Sequence, residues 1–242
     1  METHLLDRQE VADETMAFFL EKPAGFIYQA GQSLNLTLID PSQTDGKGNT
    51  RLFSLVSAPH EPMLEIATRI RDSVFKQVLK SLSIGTKLAC EGPFGSTTLH
   101  RDSAQPAVFL AGGIGITPFI SMLRDNQQKS LLRDELPREF YLFYSNRRPE
   151  DAPFLDELQA KSQENPHLHL IATMTDLKKN DTDWVGETGY IDQAMLEKYL
   201  PQPNDAIYYL AGPSPMVKAM LDLLQRMEID ELHIKTEEFT GY

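Results

Sequence analysis

Short hydrophobic runs recur through the first hundred residues, separated by turn-forming segments such as Asp45-Gly46-Lys47-Gly48-Asn49. Runs of this length with such breaks predict β-strands. We place five of them, at residues 15–20, 34–39, 52–57, 64–70 and 87–91. One helix interrupts them after Ser73, a residue type that caps helices, with apolar residues at Val74, Phe75, Val78, Leu79 and Leu82. Short strands at this spacing are typical of a small β-barrel.

The pattern changes after about residue 103, where short apolar runs begin to alternate with helical stretches. The runs lie at residues 107–110, 140–144, 168–173 and 207–210, and the helical stretches at 118–129, 154–161, 193–199 and 215–227. This alternation predicts a parallel sheet covered by helices on both faces. We therefore expect two domains, at residues 1–103 and 104–242.

The composition is that of a globular protein, since 41% of the 242 residues are hydrophobic and 24% are charged. The single cysteine, Cys90, rules out an intrachain disulfide framework and a cysteine-ligated iron–sulfur cluster. No apolar run approaches the roughly 18 residues of a membrane span, and the N-terminal residues do not resemble a signal peptide. We therefore expect a cytoplasmic protein without a membrane span.

The formal net charge of −12 argues against nucleic acid and anionic membranes as partners. The charge is uneven, because residues 51–101 contain seven basic and four acidic side chains, a net +3 that leaves −15 for the rest of the chain. A basic segment in an acidic protein suits a bound anion or an acidic partner. The alternative is a set of scattered, solvated basic side chains.

A glycine-rich segment, Ala111-Gly112-Gly113-Ile114-Gly115-Ile116-Thr117-Pro118, joins an apolar run to a helical pattern. A strand, a glycine turn and a helix N-terminus in this order can hold a phosphate, because glycine lets the backbone approach the anion and the helix end presents unpaired N–H groups. Leu210-Ala211-Gly212-Pro213 ends another predicted strand. Both segments should lie at the carboxyl edge of the sheet, where ligands bind in such folds.

Two segments of the first half carry residues that suit a flavin nucleotide. Arg51-Leu52-Phe53-Ser54 begins a predicted strand, and Arg69-Ile70-Arg71-Asp72-Ser73-Val74 leads into the predicted helix. An arginine can pair with a pyrophosphate, an aromatic ring can cover a flavin, and a hydroxyl can hydrogen-bond a flavin nitrogen. Two arginines beside a helix N-terminus offer a second phosphate site. The alternative for the first segment is an ordinary edge strand.

The second strand of the predicted sheet ends in Tyr144-Ser145-Asn146-Arg147-Arg148, where a dinucleotide ribose is usually bound. No acidic residue stands directly at this strand end, and the serine with Arg147 can meet a 2′-phosphate, which slightly favours NADPH over NADH. The alternative is local pairing of Arg147 or Arg148 with Glu150 and Asp151. The histidines show no metal-ligand spacing, and there is no nucleophile elbow or Walker loop, so we expect no metal site.

Five segments, taken in order, resemble the ferredoxin–NADP reductase family over nearly the whole chain. They are Arg51-Leu52-Phe53-Ser54, Gly92-Pro93-Phe94-Gly95, Gly112-Gly113-Ile114-Gly115-Ile116-Thr117-Pro118, Gly212-Pro213 and Glu237-Glu238-Phe239. The resemblance implies an all-β antiparallel barrel that binds FAD, followed by an α/β doubly wound parallel-sheet domain that binds NADPH or NADH. It also implies hydride transfer from nicotinamide C4 to flavin N5.

By this resemblance, Arg51 would pair with the FAD pyrophosphate, Phe53 would stack on the isoalloxazine, and Ser54 would lie near N5. Phe239 or Tyr242 would cover the other flavin face, so Ser54 and Phe239 are the expected catalytic residues. The remaining cofactor contacts that the resemblance implies are Leu52, Thr68, Arg69, Arg71, Ser73 and Val74 for the flavin, and Gly112, Gly113, Gly115, Thr117, Pro118, Ser145, Asn146, Arg147, Gly212, Pro213 and Met216 for the nicotinamide nucleotide.

The chain departs from the family pattern at two residues, with Phe53 in place of the usual tyrosine and Ala211 where many members have a cysteine beside the nicotinamide. It also lacks the cysteine cluster of a fused iron–sulfur domain. These features imply an FAD-dependent NAD(P)H oxidoreductase that passes electrons to a separate, acidic carrier such as ferredoxin, flavodoxin or an oxygenase component. The alternatives are a reductase of free flavin, quinone or ferric chelates, and a non-catalytic flavin-binding relay or regulatory subunit, which Ala211 leaves open.

Overall fold

The computed structural model describes residues 1–71, 73–132, 137–178 and 183–239. Contacts group the chain into two compact units, the first made of Met1–Thr98 with Thr117–Leu131, and the second of Leu99–Ile116 with Leu132–Tyr242. The predicted domain limits, 1–103 and 104–242, stay a prediction, because residues 117–131 have more of their contacts with the first unit.

Six antiparallel strands build the first unit: β1 (Glu2–Ala12), β2 (Thr15–Glu21), β3 (Ser33–Leu38), β4 (Thr50–Ser54), β5 (Met63–Arg69) and β6 (Lys87–Phe94). Their order in the sheet is β4-β3-β6-β1-β2-β5. A bridge between Leu55 and Ile66 connects the two outer strands, so the sheet curls into a barrel. The predicted antiparallel barrel is confirmed.

Alternating side chains fill this barrel. On β3, Leu34, Leu36 and Leu38 are buried in the core, while Asn35 and Thr37 between them are partly exposed. The sequence did not predict β1, because only two of its eleven residues, Thr3 and Leu5, are buried and the others include many charges. It is nevertheless a central strand, hydrogen-bonded to β2 and β6. Hydrogen bonding to strands on both sides thus makes β1 a strand despite its polar sequence.

Two helices complete the first unit. The helix α1 (Val74–Ser81) begins as predicted, because the Ser73 hydroxyl accepts a hydrogen bond from the Lys76 backbone N–H at 3.5 Å. The apolar face of α1 enters the barrel core. The helix α2 (Thr117–Leu132) is bound to the barrel by an ion pair between Arg124 Nη1 and Glu65 Oε2 at 2.6 Å.

The second unit is a parallel sheet of six strands: β7 (Ala107–Gly112), β8 (Phe140–Asn146), β9 (Leu168–Met174), β10 (Glu187–Thr188), β11 (Ile207–Pro213) and β12 (Ile234–Phe239). Their order is β10-β9-β8-β7-β11-β12, and every residue of β7 is buried, as expected for a central parallel strand. Its helices are α3 (Leu155–Glu164), α4 (Gln193–Tyr199) and α5 (Ser214–Arg226). This is the predicted doubly wound α/β arrangement.

A buried polar cluster around His100 precedes the sheet. Its Nδ1 atom lies 2.8 Å from the Tyr209 hydroxyl oxygen, and the carbonyl oxygen of His100 accepts a hydrogen bond from Arg138 Nη2 at 2.8 Å. Burial lowers the pKa of His100 to about 4, and the Arg138 charge acts in the same direction. The folded state therefore holds a neutral imidazole at physiological pH.

We expect this cluster to make stability depend on pH. In the unfolded chain His100 regains an ordinary pKa, so the unfolded state binds more protons between about pH 6.5 and pH 4, and stability falls as the pH drops through this window. The part of the loss in free energy of unfolding that is due to His100 should be about 1–2 kcal/mol. This is less than the full pKa shift would give, because the ring is partly exposed to solvent. Urea unfolding at pH 7 and pH 4.5 measures it.

The matched variants for this experiment are His100→Gln and His60→Gln, the latter at an exposed position of the first unit. His100→Gln should reduce the decline in the free energy of unfolding between the two pH values, and His60→Gln should leave that decline as in the wild type. An equal decline in all three proteins would contradict the role of His100.

Candidate functional site

A tight turn at Gly113–Ile116 connects β7 to α2. Gly113 has a φ of +54°, a conformation that favours glycine, and open space lies where its side chain would be. Gly115 instead presses against β11, because a Cβ atom there would lie 2.3 Å from the Ala211 carbonyl oxygen. The Tyr144 hydroxyl lies 3.2 Å from the carbonyl oxygen of Gly113. The turn is thus held close to the sheet, with one glycine facing open space.

The carboxyl ends of β7 and β11 meet at the point where the strand order reverses. A Cβ atom on Gly212 would lie 3.2 Å from the backbone nitrogen of Gly112, and one on Gly112 would lie 2.2 Å from Met216 Sδ and 3.2 Å from Pro213 Cδ. Residues that sequence analysis assigned to nucleotide binding are therefore brought together here. Such reversal points in open α/β sheets are where dinucleotides bind.

Thr117 and Pro118 begin α2 directly after the turn, and both are buried. Ala211, on β11, is 1% exposed. Its short side chain carries no group that can bond a nicotinamide.

The end of β8 carries two arginines with different partners. Arg148 pairs locally with Asp151, with 3.0 Å between Nε and Oδ2, and with Glu150. Arg147 pairs instead with Asp176, which follows β9, at 2.9 Å between Nη2 and Oδ2. Local pairing therefore holds for Arg148, whereas the partner of Arg147 comes from a neighbouring strand end.

Beside them, Ser145 is half-buried, and Asn146 is 7% exposed. The side-chain nitrogen of Asn146 is buried without a hydrogen-bond partner among the described residues. The backbone carbonyl oxygen of Asn146 accepts a hydrogen bond from the backbone N–H of Thr175 at 3.0 Å, so the pairing of β8 continues with the chain that follows β9.

Arg51 is bound to the loop that precedes β4. Its Nη1 atom donates to the carbonyl oxygens of Lys47, Gly48 and Thr50 at 2.8–3.0 Å, and its Nη2 atom lies 3.0 Å and 3.3 Å from the two Asp45 carboxylate oxygens. The guanidinium also lies 5.2 Å from the ring centroid of Phe75. A pyrophosphate at Arg51 would therefore compete with Asp45.

On β4, the ring of Phe53 faces the barrel interior. It is 7% exposed and its centroid lies 5.9 Å from that of Phe75. Leu52, the residue before it, is 58% exposed, and Ser54 is 4% exposed. The expected stacking of Phe53 on a flavin stays a prediction, and the side chain that β4 presents to solvent is Leu52.

Positive charge collects at the N-terminus of α1. Lys76 is half-buried, and its pKa is lowered by burial first and then by the charges of Arg51 and Arg71. Arg71 is exposed, and Ser73 caps the helix. Three cations that disfavour one another beside a helix N-terminus form an arrangement that can bind an anion, since a phosphate would relieve their repulsion and accept hydrogen bonds from backbone N–H groups there.

Sequence analysis missed Lys76 in this group. The signal in the sequence was the position of Lys76 in the first turn of a predicted helix whose N-terminus had been assigned to phosphate binding. Of the other residues assigned there, Thr68 is buried on β5, while Arg69 and Val74 are half-buried. At the C-terminus, Phe239 ends β12 opposite Pro213, but its side chain and the whole of Tyr242 lie outside the described residues.

Among the described residues, no helix is both long and apolar enough to cross a membrane.

Comparisons with known proteins identify families and sequences to which this chain is similar. Residues 109–222 match the oxidoreductase NAD-binding domain. Over 237 residues the chain is 29% identical to the glycine betaine monooxygenase reductase subunit of Chromohalobacter salexigens, covering 96% of this chain and 61% of that protein. It is 28% identical over 225 residues to ferredoxin–NADP reductase B of Sorangium cellulosum, covering 88% of this chain and 86% of the relative. Over most of its length the chain is similar in sequence to reductases of the ferredoxin–NADP reductase family.

Members of this family bind FAD and NAD(P)H. The FAD/NAD-binding domain of the nitric oxide dioxygenase from Vibrio cholerae has the same fold, with a TM-score of 0.81, 19% identity and 98% coverage of both chains. The chain spans less than two thirds of the betaine monooxygenase reductase subunit.

Proposed function

We propose that this protein is an FAD-dependent NAD(P)H oxidoreductase that passes electrons to a separate carrier protein. The observation that supports it is that each of the two units has an arrangement of residues that can bind a phosphate. When bound, FAD supplies an acceptor for hydride from nicotinamide C4 and releases electrons singly or in pairs. The chain's own residues bind and orient the two nucleotides.

In the first unit, we assign the FAD pyrophosphate to the N-terminus of α1, where Arg71 and Lys76 would bind it. Arg51 would also bind it once its ion pair with Asp45 breaks. Ser54 is the proposed hydrogen-bond donor to flavin N5. A preorganised donor of this kind contributes on the order of 2–4 kcal/mol to a barrier. In the second unit, the turn at Gly113–Ile116 and the crevice beside Gly212 are the proposed site of the NAD(P)H diphosphate.

The proposed electron acceptor is an acidic protein such as a ferredoxin, a flavodoxin or an oxygenase component. The net charge of +3 over residues 51–101 supports this, because opposite charges increase the rate of encounter. Of the relatives, one is named as the reductase subunit of a monooxygenase and another as a ferredoxin–NADP reductase, which supports an oxygenase component or a ferredoxin as the partner.

Reduction of ferricyanide by the FAD-loaded protein tests the proposed activity. The protein should reduce it with NADH, NADPH or both, and an absence of reduction with either donor would overturn the activity. Tight retention of FAD through purification is expected of a carrier-protein reductase, whereas a readily exchanged flavin would indicate a reductase of small acceptors.

Ala211 favours a second candidate, a flavin-binding relay subunit that does not oxidise NAD(P)H. Its methyl group cannot bond the nicotinamide, and Gly115 packs directly against its carbonyl group. FAD binding without reduction by either nucleotide would support this function.

The pairing of Arg51 with Asp45 leads to a prediction about FAD affinity. In Asp45→Asn the carboxylate no longer competes for the guanidinium, so FAD should bind about three- to tenfold more tightly, in line with the loss of one partly exposed ion pair. Quenching of flavin fluorescence measures the dissociation constant. Asp125→Asn, which removes the carboxylate of an ion pair on α2, is the control. Equal affinities of Asp45→Asn and the wild type would contradict a role for Arg51 at the pyrophosphate.

A further inference from the structure

One large side chain on β8 reaches the glycine turn from within the sheet. The ring of Tyr144 is fully buried. Its partners at the same level of the sheet are Ala111 on β7 and Ala172 on β9. Paired residues of neighbouring strands point to the same face, so these two short side chains leave the space that the ring occupies. The ring can therefore extend along the sheet toward the turn that follows β7.

The hydroxyl of Tyr144 connects this turn to the segment that follows β8. Its oxygen lies 3.2 Å from the carbonyl oxygen of Gly113 and 3.0 Å from that of Pro153. A hydroxyl has one proton, so it can donate to either of the two carbonyls. The Gly113 carbonyl is thus drawn toward the sheet, and removal of the hydroxyl would take away the donor that holds it in this direction.

The direction of this carbonyl matters because the residue is a glycine. Gly113 has a φ of +54°, and open space lies where its side chain would be. The peptide unit that carries the carbonyl can turn over at low cost, because no Cβ atom restricts the backbone. A carbonyl that faced the open space would direct the negative end of its dipole toward an incoming anion. The hydroxyl of Tyr144 favours the opposite orientation, with the negative end toward the sheet.

We propose that Tyr144 is a positioning residue, which holds the Gly113 carbonyl toward the sheet and so keeps the turn ready to bind the diphosphate of a nicotinamide nucleotide. This inference rests on the proposed function, because it concerns the nucleotide site of the same reaction. A bound diphosphate should in turn favour donation of the hydroxyl proton to Gly113 over Pro153, since a ligand stabilises the state that it binds best.

Binding of two probes to the FAD-loaded protein tests this role. The first, 5′-ADP, carries a diphosphate, whereas adenosine has the same base and ribose without one. In Tyr144→Phe the affinity for 5′-ADP should fall about tenfold, and the affinity for adenosine should stay within about twofold of the wild type. Calorimetry measures the first affinity, and competition with 5′-ADP measures the second. A merely structural role would lower both together, so the ratio of the two affinities separates the explanations.

Tyr208→Phe is the matched control. Tyr208 is equally buried, on β11, and its hydroxyl donates to the Pro203 carbonyl oxygen at 2.9 Å, at the end of the sheet opposite the turn. This variant loses a hydroxyl of the same kind, so its unfolding temperature should fall by about as much as that of Tyr144→Phe. Its affinity for 5′-ADP should nevertheless stay within about twofold of the wild type.

A double-mutant cycle connects the effect to Gly113. In Gly113→Ala the new side chain disfavours a positive φ, so the turn should rearrange and bind 5′-ADP more weakly whether or not the Tyr144 hydroxyl is present. The losses of the two single variants should therefore be less than additive. Additive losses, an equal loss for the two probes, or a 5′-ADP affinity of Tyr144→Phe within twofold of the wild type would overturn the proposal.

The role of Tyr144 and the proposed activity can fail separately. If Tyr144→Phe selectively loses affinity for 5′-ADP but neither NADH nor NADPH reduces the flavin of the wild type, the role of Tyr144 stands and the oxidoreductase activity fails. If the flavin of the wild type is reduced but Tyr144→Phe binds both probes as the wild type does, the activity stands and the role of Tyr144 fails. A wild type that binds no 5′-ADP would also overturn the role of Tyr144.

Discussion

Gly115→Ala is expected to weaken nucleotide binding strongly while leaving FAD in place. The new Cβ atom would lie 2.3 Å from the Ala211 carbonyl oxygen and 2.6 Å from the Gly212 backbone nitrogen. These are main-chain atoms of β11, which is hydrogen-bonded on both sides to β7 and β12, so they cannot move aside cheaply. The turn must therefore move away from the sheet. Overpacking of this kind costs about 1–3 kcal/mol, which corresponds to roughly 5- to 150-fold in affinity where it falls on binding.

Titration of the variant with NADH, together with its thermal unfolding, measures this effect. Gly46→Ala is the matched control, because a Cβ atom there has no heavy atom within 4 Å and the residue lies in a loop of the first unit. That variant should bind NADH as the wild type does. If Gly115→Ala also bound NADH with unchanged affinity and unfolded at an unchanged temperature, the close contact of the turn with β11 would not govern the site.

Removal of the two cations at the N-terminus of α1 should have the second large effect. In Arg71→Ala combined with Lys76→Ala, the proposed pyrophosphate site retains only the helix N-terminus and Arg51, which Asp45 holds. Hydrogen bonds to charged groups contribute about 1.5–3 kcal/mol each, so the dissociation constant for FAD should rise by about two to four orders of magnitude. The flavin should then be lost during purification and return only at high added concentration.

Lys80→Ala is the control for that experiment. Lys80 is exposed in the last turn of the same helix, so the variant changes the charge of α1 without changing its N-terminus. Lys80→Ala should retain FAD. When both are free of flavin, the double variant and the wild type should unfold at nearly the same temperature. FAD affinity of the double variant within threefold of the wild type would remove the α1 site from the account.

Local signals made several elements predictable. The helix α1 carries both its cap, Ser73, and a stripe of apolar residues, and these two features require no knowledge of the tertiary structure. The same holds for β7 and its glycine turn, since an apolar run followed by glycines and a helical pattern predicts these elements from local sequence. The two-part fold follows from the change of rhythm near residue 103.

Other features depend on pairing between distant parts of the chain. The register that sets Leu34 opposite Phe53 turns the ring of Phe53 toward the barrel interior and leaves Leu52 facing outward. A tetrapeptide motif does not reveal which face of the strand is buried. The motif predicts a ring that stacks on a flavin, which stays a prediction, and only the structure shows that this ring packs beside Phe75.

The charge arrangements were also beyond prediction, for the same reason. Asp176 lies 29 residues after Arg147, and only the parallel pairing of β8 with β9 brings them together. The sequence predicts Lys76 as part of a helix, but its proximity to Arg51 depends on how α1 packs against β4. Pairwise electrostatics of this kind is set by tertiary structure and leaves no pattern in the sequence.

The central claim is that the protein binds FAD and reduces it with a nicotinamide nucleotide. The visible spectrum of the FAD-loaded protein, recorded without oxygen before and after addition of NADH and then of NADPH, tests it most directly. We predict that the flavin band bleaches with at least one of the two nucleotides. A flavin that stays oxidised with both nucleotides would contradict the claim of hydride transfer, and a protein that takes up no FAD at all would contradict the account as a whole.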